Sequence, residues 1–213
     1  MSSTDCKIFI VDDDESIRRS LSLLLCSAGY SVCPFSGGEA LLESENYDGP
    51  GCILLDIFMD GASGLELQER INTKFSNLPI IYQTGLGDVP MSVKALKKGA
   101  INFLQKPVED RDLFIAIEEA LATSHMLKTN QSESVHIRLL FDSLTPRESE
   151  VFSFLIKGFL NKQIARELDI AEHTVKLHRG RITEKLGVKS VAEMVTMVEK
   201  FKNSGSPPDR FHL

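Results

Sequence analysis

Four stations in the first half of the chain carry side chains suited to a divalent cation and a phosphoryl group: Asp12-Asp13, Asp56, Thr84-Gly85 and Lys106. Carboxylates supply the oxygen ligands a hard cation wants, and a carboxylate can also act as a nucleophile. A hydroxyl can donate to a phosphoryl oxygen, and an ammonium meets that group as a compact point charge. Each station ends or closely follows a short apolar run: Ile8–Val11, Cys52–Leu55, Ile80–Tyr82 and Ile101–Leu104. Runs that are nearly all apolar read as parallel strands buried on both faces. The carboxyl ends of such strands share one edge, where open α/β sheets bind their ligands. Three carboxylates, a hydroxyl and an ammonium therefore converge.

The elements that must position them follow from the pattern. From Lys7 to about Ala122, strand and helix alternate five times. The strands are Ile8–Val11, a weakly marked Ser31–Pro34, Cys52–Asp56, Pro79–Gln83 and Ile101–Leu104. The helices run from about Glu15 to a stop at Gly29, over Gly38–Leu42, about Gly64–Phe75, near Pro90–Lys98, and about Asp110–Ala122. Five such units predict an α/β doubly wound, five-stranded parallel sheet covered by helices on both sides. Residues 123–143 are polar and Ser-rich, then briefly apolar, and read as a partly helical linker. Beyond it the strand signal disappears. Thr145-Pro146-Arg147-Glu148 is a capping box with Pro in the first turn, and Gly158 ends that helix. Helices over about Asn161–Leu168 and Glu172–Leu186 flank a tight turn at Asp169–Ala171, and Ser190-Val191-Ala192-Glu193 opens a fourth to about Lys202. Two short helices about a tight turn form a helix-turn-helix pattern. The organisation expected is thus a domain over 5–122, the linker, an all-α four-helix domain over 144–202, and a disordered tail over 203–213.

Charge divides along the same boundary. Residues 1–124 hold 10 Lys and Arg against 19 Asp and Glu, a net of −9, whereas residues 125–213 hold 14 against 11, a net of +3. Only the second half is suited to a polyanion. No signal peptide and no apolar run of membrane-spanning length is visible, so a cytoplasmic protein without membrane association is expected. Cys6, Cys26, Cys33 and Cys52 lack a Cys-x-x-Cys spacing and read as small buried hydrophobes rather than metal ligands.

Ile10-Val11-Asp12-Asp13, Leu54-Leu55-Asp56, Thr84-Gly85 and Phe103-Leu104-Gln105-Lys106-Pro107 together resemble the receiver domain of two-component response regulators, a flavodoxin-like fold. The resemblance covers about 118 residues in order and spacing. It implies that Asp56 takes a phosphoryl group from a histidine kinase. It also implies that Asp13, Asp56 and the backbone carbonyl of Phe58 bind Mg²⁺, with Asp12 holding a metal-bound water. Lys106 would pair with the phosphoryl group, Thr84 would donate its hydroxyl, and Lys106-Pro107 would be a cis peptide. Thr84 and Phe103 would form the switch, with a plain core role the competing expectation for Phe103. Asp14 and Glu15 read instead as first-turn helix acids. Asp60 departs from the family pattern, which commonly has Pro there. Phe58 and Leu86 are bulky and apolar beside the site, so they are expected to hinder water and lengthen the acyl phosphate lifetime.

Leu144-Thr145-Pro146-Arg147-Glu148, Asn161-Lys162-Gln163-Ile164-Ala165, Thr174 to Arg179 and Lys185-Leu186-Gly187-Val188 resemble the LuxR-type module of the NarL/FixJ subfamily. The resemblance implies that the helix over Glu172–Leu186 enters the major groove of promoter DNA. Lys176, Leu177 and Gly180 share one face of that helix. Asn161, Lys162, Thr174, Arg179 and Lys185 are candidate phosphate contacts. Ala171 stands where a Ser cap is common, and His173 and His178 have no metal-like constellation. The expected protein is a transcriptional response regulator rather than an enzyme, with Mg²⁺ as cofactor and a histidine kinase, promoter DNA and RNA polymerase as partners. Phosphorylation would favour a homodimer through the helix near 90–98, the strand over 101–104 and the helix over 110–122. The alternatives are a phosphorylation-independent helix-turn-helix regulator with a degenerate receiver, and a phosphohydrolase using Asp60 as its second acid.

Overall fold

The computed structural model describes residues 6–59, 64–85 and 99–203. They fall into two compact units, 1–128 and 129–213. In the first, β1 (Lys7–Val11), β2 (Ser31–Phe35), β3 (Gly51–Asp56), β4 (Ile80–Thr84) and β5 (Asn102–Gln105) form one sheet in the order β2-β1-β3-β4-β5. All four strand pairings are parallel. β3 and β4 are buried at every residue, as runs of Ile, Leu and Cys with no polar alternation require. β2 is half-exposed and lies at the sheet edge, where Pro34 costs no interior ladder bond. Helices α1 (Glu15–Ser27), α2 (Gly38–Glu43) and α3 (Gly64–Lys74) follow the first three strands. The helix expected near 90–98 lies outside the described residues, as do Asp60, Leu86 and the tail from 204 on.

Side-chain alternation splits the sheet's core into two layers. Phe9, Val11, Ile53, Leu55, Ile80 and Tyr82 face one cluster; Ile8, Ile10, Cys52, Leu54, Ile81 and Leu104 face the other. Of the cysteines, Cys6 and Cys52 are buried as expected, whereas Cys33 is half-buried and Cys26 is exposed on α1. Burial pushes the Cys52 thiol up to about 12, which leaves it an inert hydrophobe.

The expected linker is corrected. Helix α4 runs without a break from Asp110 to Asp142. Two hydroxyls of the Ser-rich stretch turn back along the helix, Thr123 donating to the Glu119 carbonyl at 3.0 Å and Ser134 to that of Asn130 at 2.8 Å, as helix-internal Ser and Thr can. Ser124 is fully buried in the first unit, donating to the Asn77 carbonyl at 2.6 Å and accepting from the Gly51 N–H at 3.0 Å. Ile137 and Phe141 belong to the core of the second unit.

That unit adds α5 (Pro146–Ile156), α6 (Asn161–Glu167), α7 (Glu172–Leu186) and α8 (Val191–Asn203). The Thr145–Glu148 capping box is complete. At the start of α8, Ser190 accepts from the Glu193 N–H at 3.2 Å, while the Glu193 carboxylate returns to the N–H of Lys189. Gly158 and Gly187 take positive φ values of 83° and 65° just past α5 and α7, the left-handed stop that glycine adopts without strain. Ala171 caps α7 with no side-chain bond. Ile164, Ala165, Val175, Ile182 and Leu186 are buried together, with Leu168 packed against them. No described helix is long and apolar enough to cross a membrane.

Candidate functional site

The acidic site forms at the carboxyl edge of the sheet. β1 ends at Val11, and Asp12 continues it far enough for its N–H to donate to the Phe35 carbonyl at 3.3 Å. Asp12 is 1% exposed and Asp56, the last residue of β3, is 7% exposed. Asp13 lies outermost, exposed to solvent. Ligand oxygens of Asp12, Asp13 and Asp56 lie within 4.8 Å of one another, the one such group of three among the described residues. Carboxylate oxygens at this spacing, some buried and one open, match the donor chemistry of a hard divalent cation. These residues could therefore hold a metal ion.

Lys106 reaches this cluster from beyond β5. Its Nζ donates to Asp12 Oδ2 and Asp56 Oδ2, each at 2.6 Å. Burial works against the ammonium, but these two bonds and the charges behind them outweigh it and hold its pKa above the ordinary lysine value. The Lys106-Pro107 peptide is cis. The Lys106 N–H also donates to the Thr84 carbonyl at 2.7 Å, tying the β5 exit to the end of β4. Thr84 is fully buried at that end. The Phe58 N–H donates to Asp56 Oδ1 at 3.0 Å, while the Phe58 ring is 46% exposed beside the site. Phe103 pairs with Tyr82 across β4 and β5 and is half-buried against the core.

Two neighbours hold the β1–α1 loop. Asp14 is the N-cap of α1, and hydrogen bonds from the Ser16 hydroxyl and N–H hold its carboxyl below the usual range. This agrees with a helix-start role. Arg18 Nη1 donates to the Asp12 carbonyl at 2.6 Å. Arg18 and Gln83 were not singled out by sequence reasoning. A buried glutamine ending an Ile-Ile-Tyr run is the one signal that points to either.

In the second unit, α7 presents Lys176, Leu177 and Gly180 as exposed residues, with Leu177 at 54%. Lys162 is exposed on α6, and Thr174 is half-exposed near the start of α7. Arg179 Nη1 donates to Asn161 Oδ1 at 2.6 Å, so these two candidates bind each other and link α7 to α6. Lys185, also a candidate phosphate contact, is held within the unit. Its Nζ donates to Glu148 Oε2 at 2.6 Å and to the Ser143 carbonyl at 2.9 Å. The buried carboxylate needs a cation, and Lys185 supplies it, pinning α7 to the start of α5.

Comparison with known proteins shows the family of each unit. Residues 8–118 match the model of the response regulator receiver domain, and residues 142–198 match that of bacterial regulatory proteins of the luxR family. The chain is 41% identical over 204 residues to the response regulator protein TmoT of Ectopseudomonas mendocina, covering 96% of this chain and 93% of that one. It is 38% identical over 195 residues to the transcriptional regulatory protein FixJ of Bradyrhizobium diazoefficiens, covering 92% and 95%. A low-resolution structure of response regulator StyR superposes with a TM-score of 0.78 at 44% identity, covering 92% of this chain and all of that one. A receiver site on a five-stranded parallel sheet, followed by a luxR-family helix-turn-helix, places this chain in the NarL/FixJ subfamily of response regulators.

Proposed function

We propose that Asp56 accepts a phosphoryl group from a histidine kinase, and that this modification controls promoter binding by the second unit. The observation that carries the reading is the convergence of Asp12, Asp13 and Asp56 with Lys106, whose ammonium bridges two of the three carboxylates. In the transfer, the bond from phosphorus to the donor's imidazole nitrogen breaks and a bond from phosphorus to an Asp56 carboxylate oxygen forms. The imidazole leaves with the electron pair. Asp12, Asp13, Asp56 and the Phe58 carbonyl would hold Mg²⁺, which when bound supplies charge neutralisation for carboxylates and phosphoryl oxygens alike. Lys106 is already poised over the acceptor. The added group brings about −1.5 to −2 charge and three acceptor oxygens, to which Lys106 can turn one of its N–H bonds. Thr84 would donate its hydroxyl, and a displacement there reaches Phe103 through the β4–β5 pairing.

The output side follows from the second unit. Lys176, Leu177 and Gly180 would meet base edges in the major groove. Lys162, Thr174, Asn161 and Arg179 would meet phosphates and set the register. Two half-sites one turn apart reward a dimer, so phosphorylation is expected to shift a monomer–dimer equilibrium; RNA polymerase is the expected downstream partner in the cytoplasm.

Intact mass after incubation with Mg²⁺ and a small acyl phosphate tests the phosphoacceptor. One added phosphoryl group is expected, absent in Asp56→Asn and absent without Mg²⁺. A folded chain that gains no mass would replace this reading with a phosphorylation-independent regulator.

A further inference from the structure

Gln83 interrupts an apolar row. On the sheet face carrying Ile10, Leu54, Ile81 and Leu104, the register sets Gln83 between Asp56 on β3 and Leu104 on β5. Register partners on parallel strands send their side chains to the same face, and residues two apart on a strand share it. Asp12 lies two residues beyond Ile10 and Lys106 two beyond Leu104, so Asp12, Asp56, Gln83 and Lys106 lie on one face of the sheet. Lys106 is rooted past β5, yet its ammonium reaches carboxylates on β3 and β1. Its side chain therefore crosses β4 at the level of Gln83.

Gln83 is 2% exposed, and its Nε2 is buried without a hydrogen-bond partner. It lines a cavity of about 570 Å³ with Lys106, Ser16, Ser20, Leu21 and Pro107. Leucine or isoleucine would continue the row without penalty, whereas a buried amide N–H lacking an acceptor is costly. The unmet donor calls for an acceptor that arrives from outside the chain. Lys106 beside it has donors and no acceptor. A phosphoryl group, with three acceptor oxygens, can accept from both at one place.

We propose that Gln83 is a further phosphoryl-binding residue, its Nε2–H donating to an oxygen of the group carried by Asp56, beside Lys106. The inference rests on Asp56 being the acceptor and adds a contact from the β4 side of the row. Thr84, one residue on, shares the opposite face with Tyr82. The hydroxyl and the amide thus approach the phosphoryl position from opposite faces of the same strand.

Fluoroberyllate serves as the probe, because it mimics a phosphoryl group on a carboxylate. Its binding to the full chain is measured by calorimetry at saturating Mg²⁺ for the wild type, Gln83→Leu and Gln83→Met, with thermal unfolding as the folding control and Mg²⁺ affinity measured separately. Either apolar variant that keeps its fold is expected to bind fluoroberyllate about tenfold more weakly, a change of about 1.4 kcal/mol, with Mg²⁺ affinity unchanged within about twofold. Equal fluoroberyllate affinity in wild type and variants would overturn the role of Gln83 and leave Asp56 untouched. Parallel loss of Mg²⁺ affinity would also overturn it, because it would show general damage to the site. A folded wild type that takes up no fluoroberyllate would overturn both readings.

Discussion

Replacing Lys185 by Met separates a structural pin from a DNA contact. Glu148 is 2% exposed and accepts from Lys185 Nζ at 2.6 Å and from the Thr145 N–H at 2.9 Å. The same ammonium holds the Ser143 carbonyl at 2.9 Å. In Lys185→Met the carboxylate keeps the cap but loses its cation, and the start of the α4–α5 turn loses its tie to α7. A hydrogen bond to a charged group contributes about 1.5–3 kcal/mol. With the Lys185 side chain 34% exposed, a value near the lower end applies, about 2 kcal/mol. In a unit of this size that lowers the melting temperature of the second transition by roughly 10 °C, readable by calorimetry on the whole chain. Burial works against ionisation of Glu148, but the bonds from Lys185 and Thr145 outweigh it and depress its pKa. A carboxylate depressed on folding binds fewer protons folded than unfolded, so its contribution is present at neutral pH and fades as pH falls through the depressed value. Wild type and Lys185→Met should therefore draw closer in acid, below the ordinary carboxylate range, the bond to the Ser143 carbonyl being the part that remains. DNA binding by the variant should keep the wild-type salt dependence at a temperature where both are folded. A variant with unchanged stability, whose slope of log K against log salt loses about one unit, would refute the pin and restore Lys185 as a phosphate contact.

Three further outcomes are expected. Ser124→Ala removes the bond to Asn77 and leaves the buried Gly51 N–H without its acceptor, costing the first unit about 2 kcal/mol in urea unfolding. Lys162→Ala, at an exposed α6 position, should weaken binding to all DNA sequences alike and reduce the salt slope by about one; a change confined to one base pair would contradict a phosphate role. Phe58→Asn replaces the exposed ring beside Asp56 with a small polar side chain that admits water, and should speed loss of the phosphoryl group, followed by intact mass. An unchanged half-life would remove Phe58 from any account of that lifetime.

The receiver site was legible because each of its members ends a strand, and strand ends are what apolar runs mark. The parallel pairing of five strands follows from the four crossovers between them, and with it the gathering of Asp12, Asp56, Thr84 and Lys106 at one edge; the order β2-β1-β3-β4-β5 does not. The Thr145 and Ser190 caps were legible for a similar reason, since a capping box is a local pattern. The unbroken helix over 110–142 was not. Its Ser and Thr residues favour turns when their hydroxyls bond to the backbone elsewhere, and only the fold shows that they bond within the helix or, for Ser124, across to β3 and the turn before β4.

Lys185 and Gln83 escaped for a deeper reason. A lysine near the end of a basic helix and a glutamine at the end of a strand both look like surface residues until register and helix packing fix their neighbours. Burial of Glu148 converts Lys185 from a free cation into a pin. Alignment with Asp56 and Leu104 converts Gln83 from a strand-end polar residue into an unmet donor in register with Asp56. Residue type and spacing identify which groups can do chemistry. Which of those groups are already spent on holding the fold, and which remain available for a ligand, is decided only by long-range neighbours.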